Sequence, residues 1–200
     1  RMFMHIRNQL DKANIKLGKE RGEAPDAVGT GQRFSHVMAI APNASSSILM
    51  GNTSPSIEPF RANVYRQDTL SGASINKNKH LDKIIKKACE KNNKLDYNEI
   101  WSSIIMNDGS VQHLDILKEN DKDTFKTAME IDQRWVVEHA AIRQEFIDQA
   151  QSVNLFFRPD TDIKYLHACH FMAWKKGLKT FYSVSYTHLR AHETREDLVC

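Results

Sequence analysis

Pro42, Asn43, Ala44, Ser45, Ser46 and Ser47 put three successive hydroxyls at the end of a short apolar run. That run, residues 36–41, reads as a buried strand stopped by Pro42, and Ile48, Leu49 and Met50 can close one helical turn beyond the serines. A strand that delivers a hydroxyl-rich loop to a helix start makes backbone N–H groups converge, and converging donors suit a phosphate. No glycine-rich run surrounds the serines and no lysine follows at once, so this is not a Walker-type loop. Taken alone, Ser and Asn at such a place ordinarily cap a surface turn.

The other chemistry-bearing residues are weaker. His167 and His170 share one side of an expected helix, but Cys169 points away from them and no second Cys/His pair completes a tetrahedral metal site, so the expectation is no metal. Asp96, Glu99, Asp108 and Asp115 are scattered carboxylates. Lys83, Lys86, Lys87, Lys91 and Lys94 read as a solvated helix face, with no interleaved aromatics to stack nucleic-acid bases. Tyr182 ends a short segment after a glycine helix stop, where a lone tyrosine is ordinarily a packing residue with a hydrogen-bonded hydroxyl.

The elements that would position these groups alternate between helical and extended. Residues 2–19 carry Phe3, Ile6, Leu10, Ala13 and Leu17 at helical spacing, with Gly18 and Gly22 expected to end the helix and Pro25 following as a stop. Residues 56–65 are expected to be extended, with Pro59 barring a regular central ladder, and residues 68–79 form a hairpin-like excursion. The chain then turns helical. Residues 80–91 bring Leu81, Ile84, Ile85 and Ala88 to one face, and Asp96 caps a helix bearing Ile100, Trp101, Ile104 and Ile105 that Asp108 and Gly109 break. Helices are expected over 122–129 and 131–148, the second with an inner face of Ile131, Trp135, His139, Ile142 and Phe146. Residues 152–157 read as a strand. A final helix faces inward through Ile163, Leu166, His170, Phe171 and Trp174 before a strand enters at Thr180. Short strands between amphipathic helices predict an α/β fold.

Composition narrows the function class. The 200 residues are 40% hydrophobic and 26% charged, and 28 basic against 25 acidic side chains leave a net charge of +3, which favours neither nucleic acid nor a membrane as partner. No apolar run approaches the ~20 residues of a membrane helix. Cys89, Cys169 and Cys200 form no CxxC pair or disulfide framework, as expected of a reducing, cytoplasmic setting. Residues 184–200 read unlike the rest and resemble the translation of a transposase-type sequencing adapter. They are expected to be an artefact that contributes no structure, with 1–183 as the domain proper.

Six strings in order resemble the large (alpha) subunit of class I ribonucleotide reductase: Met38-Ala-Ile-Ala-Pro-Asn-Ala-Ser-Ser-Ser47, Asn52-Thr-Ser-Pro-Ser-Ile-Glu-Pro59, Ser110-Val-Gln-His-Leu114, Asp132-Gln-Arg-Trp135, Gln149-Ala-Gln-Ser-Val-Asn-Leu-Phe-Phe157 and Ala173-Trp-Lys-Lys-Gly-Leu-Lys-Thr180. They look most like the bacterial or phage branch. The resemblance implies the C-terminal part of a ten-stranded α/β barrel, truncated at both ends. It matches Pro42, Asn43, Ala44, Ser45 and Ser46 to the loop that binds the diphosphate of a ribonucleoside diphosphate. It matches Tyr182 to the first of two adjacent tyrosines that relay a radical, although Ser183 stands where the second is expected.

The family's thiyl cysteine and reducing cysteine pair have no counterpart in Cys89 or Cys169, so this chain alone is expected to be catalytically dead. The resemblance also implies a partnership outside the chain. It expects an alpha homodimer, a metal-containing small (beta) subunit as radical source, thioredoxin or glutaredoxin as reductant, and nucleotide effectors, with no cofactor held by these residues themselves. An incomplete barrel leaves strand edges unpaired, so aggregation is expected when it is made alone. A non-catalytic phosphate-binding module that kept the serine loop is the alternative.

Overall fold

A computed structural model describes residues 1–51, 53–69 and 72–185. In chain order the elements are α1 (Met2–Arg21), α2 (Ala44–Leu49), a 3-10 turn (Pro55–Ile57), β1 (Val64–Thr69), β2 (Gly72–Lys77), α3 (Lys79–Lys91), α4 (Tyr97–Met106), α5 (Glu119–Thr124), α6 (Gln133–Gln144), β3 (Asn154–Phe157), α7 (Ile163–Lys175) and β4 (Tyr182–Ser185). Residues 186–200, most of the adapter-like stretch, lie outside the described residues, whereas Val184 and Ser185, expected to contribute no structure, end β4 because backbone pairing with β3 needs no particular side chain. The chain divides into two compact units. One is Arg1–Ala44 with Asp132–Leu155 and Asp160–Val184, and the other is built on Ser45–Ile131 with Phe156–Pro159.

The second unit holds a conventional core. Asn78 caps α3, accepting from the His80 and Leu81 N–H groups at 3.0 and 3.4 Å, and so aims Leu81 and Ile85 inward. Asp96 caps α4 at 2.7 and 2.9 Å, as its sequence position predicts. Leu81, Ile85, Ile100, Trp101, Ile104, Val111 and Phe125 form one buried cluster. The break after α4 is also as expected: Asp108 and Gly109 take positive φ of 56° and 80°. Asn63 pins that turn, its amide donating to the Gly109 and Phe125 carbonyls at 3.0 and 2.8 Å. The expected hairpin is present, β1 against antiparallel β2 with Val64 opposite Lys77, and its arms begin before residue 68. Leu70 and Ser71, between the arms, lie outside the described residues.

Several helix boundaries differ from expectation. The helix read at 122–129 is α5, which starts at Glu119 because Glu119 and Asp121 favour a first turn. It ends at Thr124, and three residues on the Glu130 carboxylate takes the Thr127 N–H at 2.8 Å, which withdraws that N–H from a continuing helix, and the Thr127 hydroxyl at 3.0 Å. The helix read at 131–148 is α6, set to begin at Gln133 by the Asp132 cap on the Arg134 N–H. The serines read as loop form α2, which begins at Ala44 and not at Ile48. Residues 56–65 are not uniformly extended either, since the 3-10 turn occupies their start and β1 begins only at Val64.

In the first unit α1 runs through Gly18, expected as a stop, to Arg21, because Gly18 serves a close approach and is buried against the loop that follows. A Cβ there would lie 2.1 Å from the Gly31 carbonyl oxygen, so only glycine permits the approach. Buried Asn14 exchanges two 2.8 Å bonds with the Phe34 backbone. Helices α6 and α7 pack on one another. Their inner positions are Gln133, Val137, Ala140, Cys169 and Ala173, while Trp135, Ile142, Ile163, Phe171 and Trp174 are exposed. The faces expected from apolar spacing are therefore only partly covered: Phe146, Leu166 and His170 are half-buried, and the bulkiest residues of the stripes are turned outward.

Candidate functional site

The segment entering the serine loop is extended but is not the buried strand expected at 36–41. His36 and Ala39 are exposed, and the one bridge is Ile40 parallel to Gln151. The Ile40 N–H donates to the Ala150 carbonyl at 3.3 Å, and the Ser152 N–H donates to Ile40 at 2.8 Å. Upstream, the Val37 and Met38 N–H groups leave the ladder and donate to the Asp148 carboxylate at 2.9 and 3.0 Å. That diversion is why no regular strand forms.

Pro42 and Asn43 lie exposed before α2, and the Asn43 N–H donates back to Ala41 at 3.0 Å. Ala44, Ser45 and Ser46 are the first turn of α2, whose N–H groups have no acceptor within the helix. Ser46 is exposed and Ser47 buried. The Ser47 carbonyl accepts from the Thr53 N–H at 3.1 Å and from its hydroxyl at 3.3 Å, which ties the end of the turn to the following loop. Lys79 donates to the Gly51 carbonyl at 2.9 Å beyond α2. With six residues α2 has little macrodipole, so any anion here would be held by N–H and O–H donors. The five loop residues are thus brought together by chain continuity. Tyr182 opens β4, which pairs with β3.

The residues doubted as metal ligands are dispersed. Cys169 is buried, and burial pushes its thiol pKa up, disfavouring the thiolate. The His170 Nδ1 lies 2.7 Å from the Leu166 carbonyl, and His167 stacks on Phe171. Cys89 is half-buried on α3. Among the described residues no three His, Cys, Asp or Glu side chains converge, and no helix is long and apolar enough to cross a membrane.

Two polar centres went unrecognised in the sequence. Asp132 accepts from the Tyr165 hydroxyl at 2.7 Å and from Arg134, whose guanidinium bond, against some burial, holds the carboxyl well below the usual carboxylate range. Burial, then Asp132, pushes the Tyr165 phenol well above its ordinary value. Asp148 is the second. Burial opposes its charge, but the Val37 and Met38 N–H groups and Arg7, at 3.0 Å, outweigh that and lower its pKa. The only sequence signal for Asp148 was its place next to the string that begins at Gln149.

A family model described as ribonucleotide reductase, barrel domain, matches residues 13–184. The chain belongs to that family. It is 54% identical over 183 residues to the ribonucleoside-diphosphate reductase large subunit of Invertebrate iridescent virus 6, covering 90% of this chain and 19% of that protein. With the same-named protein of Invertebrate iridescent virus 3 the identity is 54% over 182 residues, covering 91% and 29%. An Actinobacillus ureae class Id ribonucleotide reductase alpha subunit superposes with a TM-score of 0.80 at 38% identity, covering 93% of this chain and 33% of that one. The ribonucleotide reductase chain described here thus spans roughly a fifth to a third of these relatives, and its fold is a helix-rich part of their α/β barrel. The two viral relatives are nearer in sequence than the bacterial structure, an order that does not favour the bacterial or phage branch suggested by the strings.

Proposed function

We propose that this chain is the part of a ribonucleoside-diphosphate reductase large subunit that grips the substrate diphosphate and carries one tyrosine of the radical relay. The observation that carries the reading is the loop itself. Pro42 and Asn43 lead straight into an α2 first turn of Ala44, Ser45 and Ser46, inside a segment that matches the reductase barrel throughout. Neutral donors suit the task. They hold a diphosphate by its oxygens and bring no competing charge near the ribose, whose C–H must be held in place for radical abstraction. Tyr182 would pass an electron and a proton through its hydroxyl.

In the assembled enzyme the metal-containing small subunit supplies the radical and thioredoxin or glutaredoxin the electrons that reduce the 2′ carbon. The large subunit works as an alpha homodimer in the cytoplasm under nucleotide-effector control. No cofactor is assigned to the residues of this chain, and residues 184–200 are assigned no role. The family match, which ends at residue 184, supports treating the residues after it as adapter-derived.

The test uses a full-length large subunit carrying this segment, with its small subunit and CDP as substrate. Ser45→Ala with Ser46→Ala should raise KM for CDP about tenfold or more, as losing two hydrogen bonds to a charged group would, while thermal stability and effector binding hold. An unchanged KM would overturn the loop assignment. Tyr182→Phe should abolish turnover and leave CDP binding intact, because phenylalanine has no O–H to lose.

A further inference from the structure

We infer that Asp148 is a positioning residue that sets the diphosphate loop and the relay tyrosine from one short brace, an inference that rests on the function proposed above. Residues 148–151 are bonded on two sides. On one, the Asp148 carboxylate takes the Val37 and Met38 N–H groups at 2.9 and 3.0 Å, the Gln149 N–H donates to Met38 at 3.2 Å, and the Ile40 bridge to Gln151 continues the ladder. On the other, the Lys179 ammonium donates to the Asp148 carbonyl, and the Thr180 hydroxyl donates to the Gln151 carbonyl at 3.1 Å. Arg7 of α1 closes the arrangement with a 3.0 Å ion pair to the carboxylate.

The geometry makes Asp148 a register stop. A parallel ladder with one bridge has little to prevent a slip by a residue, and a slip reverses which side every following residue faces. A carboxylate that takes two successive N–H groups admits one register only. Pro42 follows Met38 by four residues, and Tyr182 follows Lys179 by three, so an error at the brace reaches both functional groups with little chain to absorb it. The side chain and the backbone carbonyl of one residue therefore serve the two arms separately.

That separation gives the test. In the full-length large subunit with its small subunit and CDP, Lys179→Met removes only the bond to the carbonyl. It should lower kcat about tenfold and leave KM unchanged, since misplacing a reacting group by an ångström costs on that order or more. Arg7→Met loosens the carboxylate arm and should raise KM severalfold with kcat nearly constant. Asp148→Asn, which presents an amide N–H₂ to backbone donors, should do both while melting within a few degrees of the parent.

Equal changes in KM and kcat in both single-arm variants, or no change in either, would overturn the inference. If Asp148→Asn does not fold, the Lys179 and Arg7 variants decide alone. The underlying function is tested apart. A raised KM in the Ser45/Ser46 double variant with normal kinetics in the brace variants refutes the brace only, whereas an unchanged KM in the serine variant refutes the function.

Discussion

Helices α3 and α4 keep Leu81, Ile85 and Ile104 wholly buried and Trp101 2% exposed, and expose apolar side chains only where α4 ends, at Ile105 and Met106. Helices α6 and α7 do the opposite. Trp135 is 63% exposed and Trp174 71%, while Val137, Ala140, Cys169 and Ala173 are inside. Both helix pairs carry apolar stripes, and the difference lies in what each pair packs through. The α3 and α4 faces close over the Val111 to Phe125 stretch and the hairpin base at Val64, so bulky groups are enclosed. On α6 and α7 the buried positions are Gln133, Val137, Ala140, Cys169 and Ala173, and the bulky groups lie outside. Apolar side chains grouped and exposed in this way mark surfaces suited to burial against more protein.

The sharpest way to break this comparison is to truncate the buried indole. Trp101→Ala should cost about 3–5 kcal/mol through lost burial and the cavity left behind, read as lost amide-exchange protection across α3 and α4. Protection within 1 kcal/mol of the parent would mean that this core is no tighter than the other unit.

Next is Gly18→Ala, which asks whether the α6–α7 unit is loose throughout or only on its outer face. Forcing a Cβ against the Gly31 carbonyl should cost about 1–3 kcal/mol and deprotect α1 and the loop after it. A neutral result would make the whole unit loose.

Acid sharpens the contrast from another side. Asp132 and Asp148, both in the α6–α7 unit, have folded-state pKa values below 3.8, the ordinary value for an aspartate. The stability they contribute is full above that value and is lost as pH falls through the lower folded-state values. The other unit has one comparable carboxylate among the described residues: burial opposes the charge of Asp82, but bonds from Lys86 and Tyr97 outweigh it and lower its pKa. Exchange protection around α1, α6 and α7 should therefore fall before that around α3 and α4 as pH drops below 4. The reverse order would mean that neither Asp132 nor Asp148 governs its unit.

The smallest effect is expected from Trp135→Gln and Trp174→Gln, each within about 0.5 kcal/mol of the parent because neither side chain is buried. Their signature should be reduced light scattering when the chain is made alone. A loss of 2 kcal/mol or more would place these rings in a core.

Much of this was legible along the chain because its causes are local. The Asp96 cap, the Asp108–Gly109 break and the hairpin each depend on residues within a few positions of one another, and family membership was readable from six short strings in order. The loop residues Pro42 to Ser46 were likewise found from residue type and neighbours. The inner face of a helix is a different kind of quantity. Ile142 and Ile85 sit in stripes of the same period, and only the partner surface decides which stripe is covered.

Sequence alone therefore determined the family, the capped start of α4 and the identity of the candidate loop, since a cap or a turn is settled by hydrogen bonds within three or four residues. Tertiary structure alone decided that α6 and α7 bury Val137, Ala140, Cys169 and Ala173 and leave Trp135 and Trp174 exposed. It alone brought Asp148 to Val37 and Met38 across 111 and 110 residues of chain. A half-buried carboxylate must find donors wherever the fold brings them, and no spacing along the sequence records where that will be.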